Sequence, residues 1–227
     1  MAIPSVETEV PFLTTDQMRE VDRAMVEEFG ILLFQMMEHA GRGLAMVARR
    51  RFFDGDPRGR RVLALAGAGG NGGGGLVAAR WLHNWGADVQ VRLAAPAERL
   101  GEVPRHQLAV LRRLDVVITE GAGPLALPSA DLVLDAIIGY SLRGSPSGLA
   151  AEAIRAANDH AAPVLALDLP SGVDATSGTV HQPAIRAAAT LTLALPKVGL
   201  RTEAARRCVG ELYLADIGVP PELYARP

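Results

Sequence analysis

The chain of 227 residues contains very little lysine, cysteine or aromatic side chain, and almost no net charge. Its one cysteine, Cys208, cannot form an intramolecular disulfide or a cysteine-based metal cluster, which fits a reducing compartment. A formal charge of −2, from 23 basic and 25 acidic residues, offers no broad basic face, so no nucleic-acid partner is expected. Hydrophobic residues make up 49% of the chain but fall in short runs. None approaches the ~20 apolar residues of a membrane span, and the polar start Met1–Pro11 is no signal peptide. A cytoplasmic protein with no membrane association is expected. Lysine is the scarcest charged residue, for Lys197 stands alone beside 22 arginines. A composition bias explains the arginines, whereas the one lysine suits a place where a compact ammonium fits and a guanidinium fork does not.

The length suits a single domain, 1–227, with a sizeable core. Thr14-x-x-Gln17 has the form of a capping box, and Met18, Val21 and Met25 follow at helical spacing up to Gly30. A second helix is predicted from Leu32 to about Phe53, with Leu33, Met36, Met37, Ala40, Leu44 and Val47 on one side and Arg49–Arg51 at its end. Leu32, Phe34, Met36 and Met37 exceed what one helical face buries, which points to a homodimer surface. From Arg61 short apolar strands alternate with helices. Strands are predicted at Val62–Ala66, Asp88–Ala94, Val116–Ile118, Leu132–Ile138, Val164–Leu167, Leu191–Ala194 and Glu211–Ala215. Helices are predicted at about Leu76–Trp85, Val103–Leu114 and Leu149–His160, with Gly121–Ser129 as a connection. The pattern is α/β: a Rossmann-like three-layer αβα sandwich with a mostly parallel sheet, the helices of 1–55 packing on a 60–220 core.

Ligands of such sheets bind at the carboxyl ends of the strands, where three loops are unusual here. Gly67–Gly75 holds seven glycines and precedes a helix, a place where backbone N–H groups meet phosphate. Gly67, Gly69 and Gly72 satisfy G-x-G-x-x-G, but no acidic residue stands at the end of the second strand, Val91-Arg-Leu-Ala-Ala-Pro96, so a dehydrogenase is disfavoured. Asp135 interrupts an apolar strand near its end, where a carboxylate must be paired, metal-bound or working as a base. Behind it, Gly139–Gly144 mixes glycines with Tyr140, Ser141, Leu142 and Arg143 and suits an anionic ligand. Asp168 ends another apolar strand in Asp168-Leu-Pro-Ser-Gly172; Asp174 reads as a turn residue. Ser171 lacks the first glycine of a nucleophile elbow, and the five histidines show no metal spacing.

Taken in order, Leu13–Asp22, Met37-Glu-His-Ala-Gly41, Gly70-Asn-Gly-Gly-Gly-Gly75, Asp135-Ala-Ile-Ile-Gly139, Asp168-Leu-Pro-Ser-Gly172, Pro196-Lys197 and Ala215–Pro220 resemble the NAD(P)H-hydrate epimerase family, the YjeF amino-terminal domain. The resemblance implies interconversion of the (R)- and (S)-forms of NADH or NADPH hydrate at C6 of the damaged ring. It implies a potassium ion on Asn71, Asp135 and Ser171, and a dinucleotide held by Gly70, Asn71, Gly72, Gly73, Gly74, by Gly139, Tyr140, Ser141, Leu142, Arg143, Gly144, and by Asp168 and Lys197. Asp168 is the implied acid/base group, and Lys197 is expected to line the pocket facing a pyrophosphate. A stand-alone form without a fused dehydratase domain is expected. Where the family loop reads N-N-G-G-D-G, this chain has Gly70 and Gly74. Two alternatives follow: a repurposed isomerase or lyase on another metabolite, or a non-catalytic nucleotide-binding module.

Overall fold

The computed structural model describes residues 10–121 and 127–224. Most of the polar start Met1–Pro11, and residues 122–126 of the connection, lie outside them. The capping box forms: the Thr14 hydroxyl accepts from Gln17 N while Gln17 accepts from Thr14 N, opening helix α1 (Thr15–Glu27). Helix α2 (Leu33–Val47) follows and runs on through a wider turn over Ala48–Phe52. Met36 and Met37 are 1% and 8% exposed. These methionines are therefore core, which corrects the expectation that they lie on a dimer surface; their stripe is covered by the sheet and the next helix.

The sheet is built from β1 (Arg61–Ala66), β2 (Asp88–Leu93), β3 (Val117–Thr119), β4 (Leu132–Ala136), β5 (Val164–Leu167), β6 (Ala189–Leu193) and β7 (Glu211–Ala215). Their order is β3-β2-β1-β4-β5-β6-β7, and every pairing is parallel. Helices α3 (Gly70–Asn84) and α4 (Glu102–Arg113) carry the chain from β1 to β2 to β3. The chain then returns to the other side of β1, and α5 (Gly148–Asp159) connects β4 to β5. The strand order thus reverses between β1 and β4, which opens a crevice at their carboxyl ends. Helix α6 (Glu203–Val209), absent from the sequence reading, makes the last crossover, and a short α7 (Pro221–Tyr224) follows β7.

Alternate residues of each strand feed the two faces. Val62, Ala64 and Ala66 join α1, α2, α3 and α4 in one core. Leu63, Leu65 and Val133 join α5 in a second core on the opposite face. The register of β1 with β4 is held at its start by Asp131, which accepts from Arg61 N at 2.9 Å and Arg61 Nη2 at 2.7 Å. The glycine run is not a loop up to Leu76. Helix α3 begins at Gly70, and Gly72–Gly75 are buried in its first turns. Among the described residues, no helix is long and apolar enough to cross a membrane.

Candidate functional site

Two carboxylates meet at the crevice from adjacent strands. Asp135, in β4, is fully buried. Its carboxylate accepts from Ser171 N at 2.8 Å, Ser171 Oγ at 2.6 Å and Ile137 N at 3.2 Å. The Ser171 hydroxyl in turn accepts from Ile138 N at 2.8 Å, so the turn after β5 is stitched to the end of β4. Burial pushes the Asp135 carboxyl up to about 6, despite the hydrogen bonds from Ser171 and Ile137 that favour its ionised form.

Asp168 follows β5 with φ +67°, a left-handed conformation that aspartate tolerates better than most residues. It is 2% exposed. Its Oδ1 receives the Lys197 ammonium and Leu193 N, while Oδ2 accepts only from Tyr140 N at 3.2 Å. Lys197 is 1% exposed and also donates to the Leu193 carbonyl at 2.8 Å. The solitary lysine is thus directed to the carboxylate Asp168, in place of an open pyrophosphate face. Its backbone is fixed by a bridge to Leu13, whose N–H donates to Pro196 O and whose carbonyl accepts from Val198 N, both at 2.9 Å.

Gly139 lies between the two systems. A Cβ at this position would come 3.2 Å from Asn71 Oδ1 and 3.3 Å from Asp168 Oδ2, so a larger residue here would press on both side chains where they converge. The Asn71 side-chain nitrogen is buried without a hydrogen-bond partner. Asn71, Asp135, Ser171, Gly139, Tyr140, Asp168 and Lys197 are therefore brought together. Ser141, Arg143 and Gly144 are exposed beyond the end of β4, and Asp174 caps its own turn by accepting from Thr176 N and Ser177 N. The donor set of Asn71, Asp135 and Ser171 is all oxygen with a single carboxylate, which suits a hard monovalent cation. A buried carboxyl raised to about 6 is one that a nearby cation would help ionise. Among the described residues no cluster of three histidine, cysteine, aspartate or glutamate side chains offers a metal site.

The sequence profile of the family described as YjeF-related protein N-terminus matches residues 33–199. The chain belongs to this family. It is 47% identical over 220 residues to the NAD(P)H-hydrate epimerase of Dehalogenimonas lykanthroporepellens, covering 94% of this chain and 84% of that protein. It is 39% identical to the bifunctional NAD(P)H-hydrate repair enzyme Nnr of Moorella thermoacetica, covering 94% of this chain but 41% of that longer protein. Among solved structures, the yeast protein ynu0, YNL200c, superimposes with a TM-score of 0.76 at 26% identity, over 84% of this chain and 83% of that one.

Within this YjeF N-terminal fold, two features escaped the sequence reading. Asp22, on α1, accepts a 2.5 Å hydrogen bond from the Tyr140 hydroxyl, so the residue whose N–H holds Asp168 is itself held by the first helix. Burial pushes Asp22 up, with the Tyr140 hydroxyl and the Lys197 charge working against it. The available signal was position: Asp22 falls between Met18, Val21 and Met25, on the inward stripe of α1. The second feature is a cleft of about 360 Å³ beside the start of α3, walled by Leu32, Leu33, Phe34, Gly69, Gly70 and Pro104.

Gly74, which stands where the family loop has aspartate, does not face this cleft. Its missing Cβ would lie 2.7 Å from Leu167 Cδ2 and 3.8 Å from Ala40 Cβ. Substitution at 74 is therefore first a packing change between α2, α3 and β5.

Proposed function

We propose that this protein is an NAD(P)H-hydrate epimerase that interconverts the (R)- and (S)-hydrates of NADH and NADPH in nicotinamide nucleotide repair. The observation that carries the reading is Asp168. It is a carboxylate at a strand end, oriented by three protein donors, with Oδ2 on the side of Gly139 and Asn71. In the hydrate, C6 bears the hydroxyl and is bonded to the ring nitrogen, so it is a hemiaminal carbon. Removing the hydroxyl proton lets the C6–N bond break to a carbonyl. Rotation and reclosure on the other face, with return of the proton, gives the other epimer with no net loss of atoms or electrons. Asp168 takes and returns that proton through Oδ2, while Lys197 balances its charge and fixes its rotamer. The start of α3, Gly70–Gly72, offers free backbone N–H groups and a positive dipole end for the pyrophosphate.

Asn71, Asp135 and Ser171 hold potassium in this reading. When bound, the ion supplies a fixed positive charge beside the otherwise uncompensated Asp135. Purified protein given resolved epimers of either hydrate is expected to accelerate their interconversion, and more so in potassium than in lithium or choline salts. No acceleration with either dinucleotide overturns the reading; equal rates in all salts remove potassium from it.

The protein is further proposed to act in the cytoplasm as a homodimer. The supporting observation is a patch at the α1–α2 corner, where Val26, Phe29, Leu32 and Leu33 are 43%, 41%, 58% and 43% exposed. Sedimentation at micromolar concentration is expected to give twice the chain mass, and Leu32→Glu with Phe29→Glu to give the monomer. A wild-type monomer rejects the pairing.

A further inference from the structure

Arg92 is a charged side chain on which the chemistry above makes no demand. It lies one residue from the end of β2, paired in register with Leu65 of β1, which is paired in turn with Asp135 of β4. Arg92 and Asp135 thus share one row of the sheet, and strand alternation puts them on the same face, on either side of Leu65. Arg92 is 7% exposed. Its Nη2 is buried without a hydrogen-bond partner, and no ion pair to its guanidinium occurs among the described residues. Guanidinium groups stay charged, and arginine is almost never buried unless paired. A strand-end arginine in this condition is a cation set out for an anion that the protein does not itself supply.

We infer that Arg92 binds the 2′-phosphate of the adenosine ribose, and that the protein therefore prefers NADPH hydrate to NADH hydrate. The inference rests on the epimerase reading above and assigns the far end of its substrate. Along the carboxyl edge of the sheet, Asp168 stands at β5, Asp135 at β4, the glycine turn at β1 and Arg92 at β2. Three strand spacings separate β5 from β2, ~14 Å. An extended dinucleotide with its damaged ring at Asp168 and its pyrophosphate on the start of α3 brings its second ribose to the end of β2. At this place in dinucleotide-binding sheets an acidic side chain takes the ribose 2′-hydroxyl, and an arginine accommodates a 2′-phosphate. The acidic residue is missing from Val91–Pro96, and Arg92 stands 20 residues past Gly72, the spacing at which it belongs.

The test is calorimetric titration of the whole protein with ADP-ribose and with 2′-phospho-ADP-ribose, beside kcat/KM for both hydrates. Wild type is expected to bind the phosphorylated ligand about 10- to 100-fold more tightly, the weight of one charge-assisted contact. In Arg92→Met that ratio should fall towards one, and the NADPH-to-NADH ratio of kcat/KM should fall with it. Arg92→Lys, which keeps a cation, should retain part of both, and it serves if the methionine variant does not fold. Equal affinities in wild type overturn the 2′-phosphate assignment while leaving the epimerase reading intact. Binding of inorganic phosphate that depends on Arg92, without any preference between the two ADP-ribose ligands, also overturns it, in favour of a free-anion site. Failure of wild type to turn over either hydrate, with ADP-ribose still bound, is instead the failure of the epimerase reading.

Discussion

Asp168→Asn is expected to lower epimerisation by roughly 10²–10⁴-fold, the contribution of one positioned acid/base group. The amide keeps an acceptor for Tyr140 N and nearly the same volume, but it cannot take the hydroxyl proton. Stability falls as well, for a separate reason. Asp168 and Lys197 form an ion pair at 3% and 1% side-chain exposure, and removing either partner strands a buried charge. Each single change, Asp168→Asn or Lys197→Met, should cost about 3–5 kcal/mol in denaturant unfolding. The double variant should recover most of that loss, because two neutral side chains of similar size replace the pair. It should recover none of the activity. This cycle separates the proton-transfer role from the folding role in one set of proteins. Asp168→Asn with turnover within about tenfold of wild type would remove Asp168 as the acid/base group.

The ion pair also marks where the sequence stopped being informative. Asp135 and Asp168 were both legible, because a carboxylate that ends an apolar strand has few ordinary reasons to be there. Lys197 was legible as an outlier in composition, but its partner was not. The pair spans 29 positions, and only the parallel packing of β5 and β6 puts the two residues on neighbouring strand ends. Asp22 was hidden in the same way, 118 positions from Tyr140. The alternation of apolar strands and helices gave the layers and the parallel sheet, since the central strands β1, β4, β5 and β6 are buried on both faces. It could not give α6, whose seven residues, with two arginines in the last turn, carry too few apolar positions to register as a period. Arg92 was passed over because the motif asked for an acid at the second strand end; the residue that fills the place carries the opposite charge.

The glycines between β1 and α3 should divide sharply by what a methyl group would meet. The sequence presents seven of them as one feature, a backbone made bare for a ligand. The structure separates them. A Cβ on Gly67 would lie 1.9 Å from the Ile137 carbonyl oxygen, and one on Gly72 would lie 1.9 Å from the Gly67 carbonyl oxygen. Both obstacles are backbone at the crossing of β1, β4 and α3, which cannot move aside as a side chain does. Gly67→Ala and Gly72→Ala are therefore expected to destabilise the fold by about 3 kcal/mol or more. Gly70 is exposed in the first turn of α3, and its Cβ would come no closer than 3.7 Å to Met37 Sδ. Gly70→Ala should be neutral or add about 0.4–1 kcal/mol, by reducing the freedom of the unfolded chain. Its effect, if any, belongs in KM, where a methyl at the cleft meets the substrate. Parallel denaturation curves and steady-state kinetics on the three variants decide the matter. If the run of glycines served the ligand alone, all three would unfold at the same denaturant concentration and differ only in KM. A loss of stability confined to Gly67 and Gly72 shows that these two glycines exist to seat α3 against the strands, the helix that carries Asn71 to Gly139.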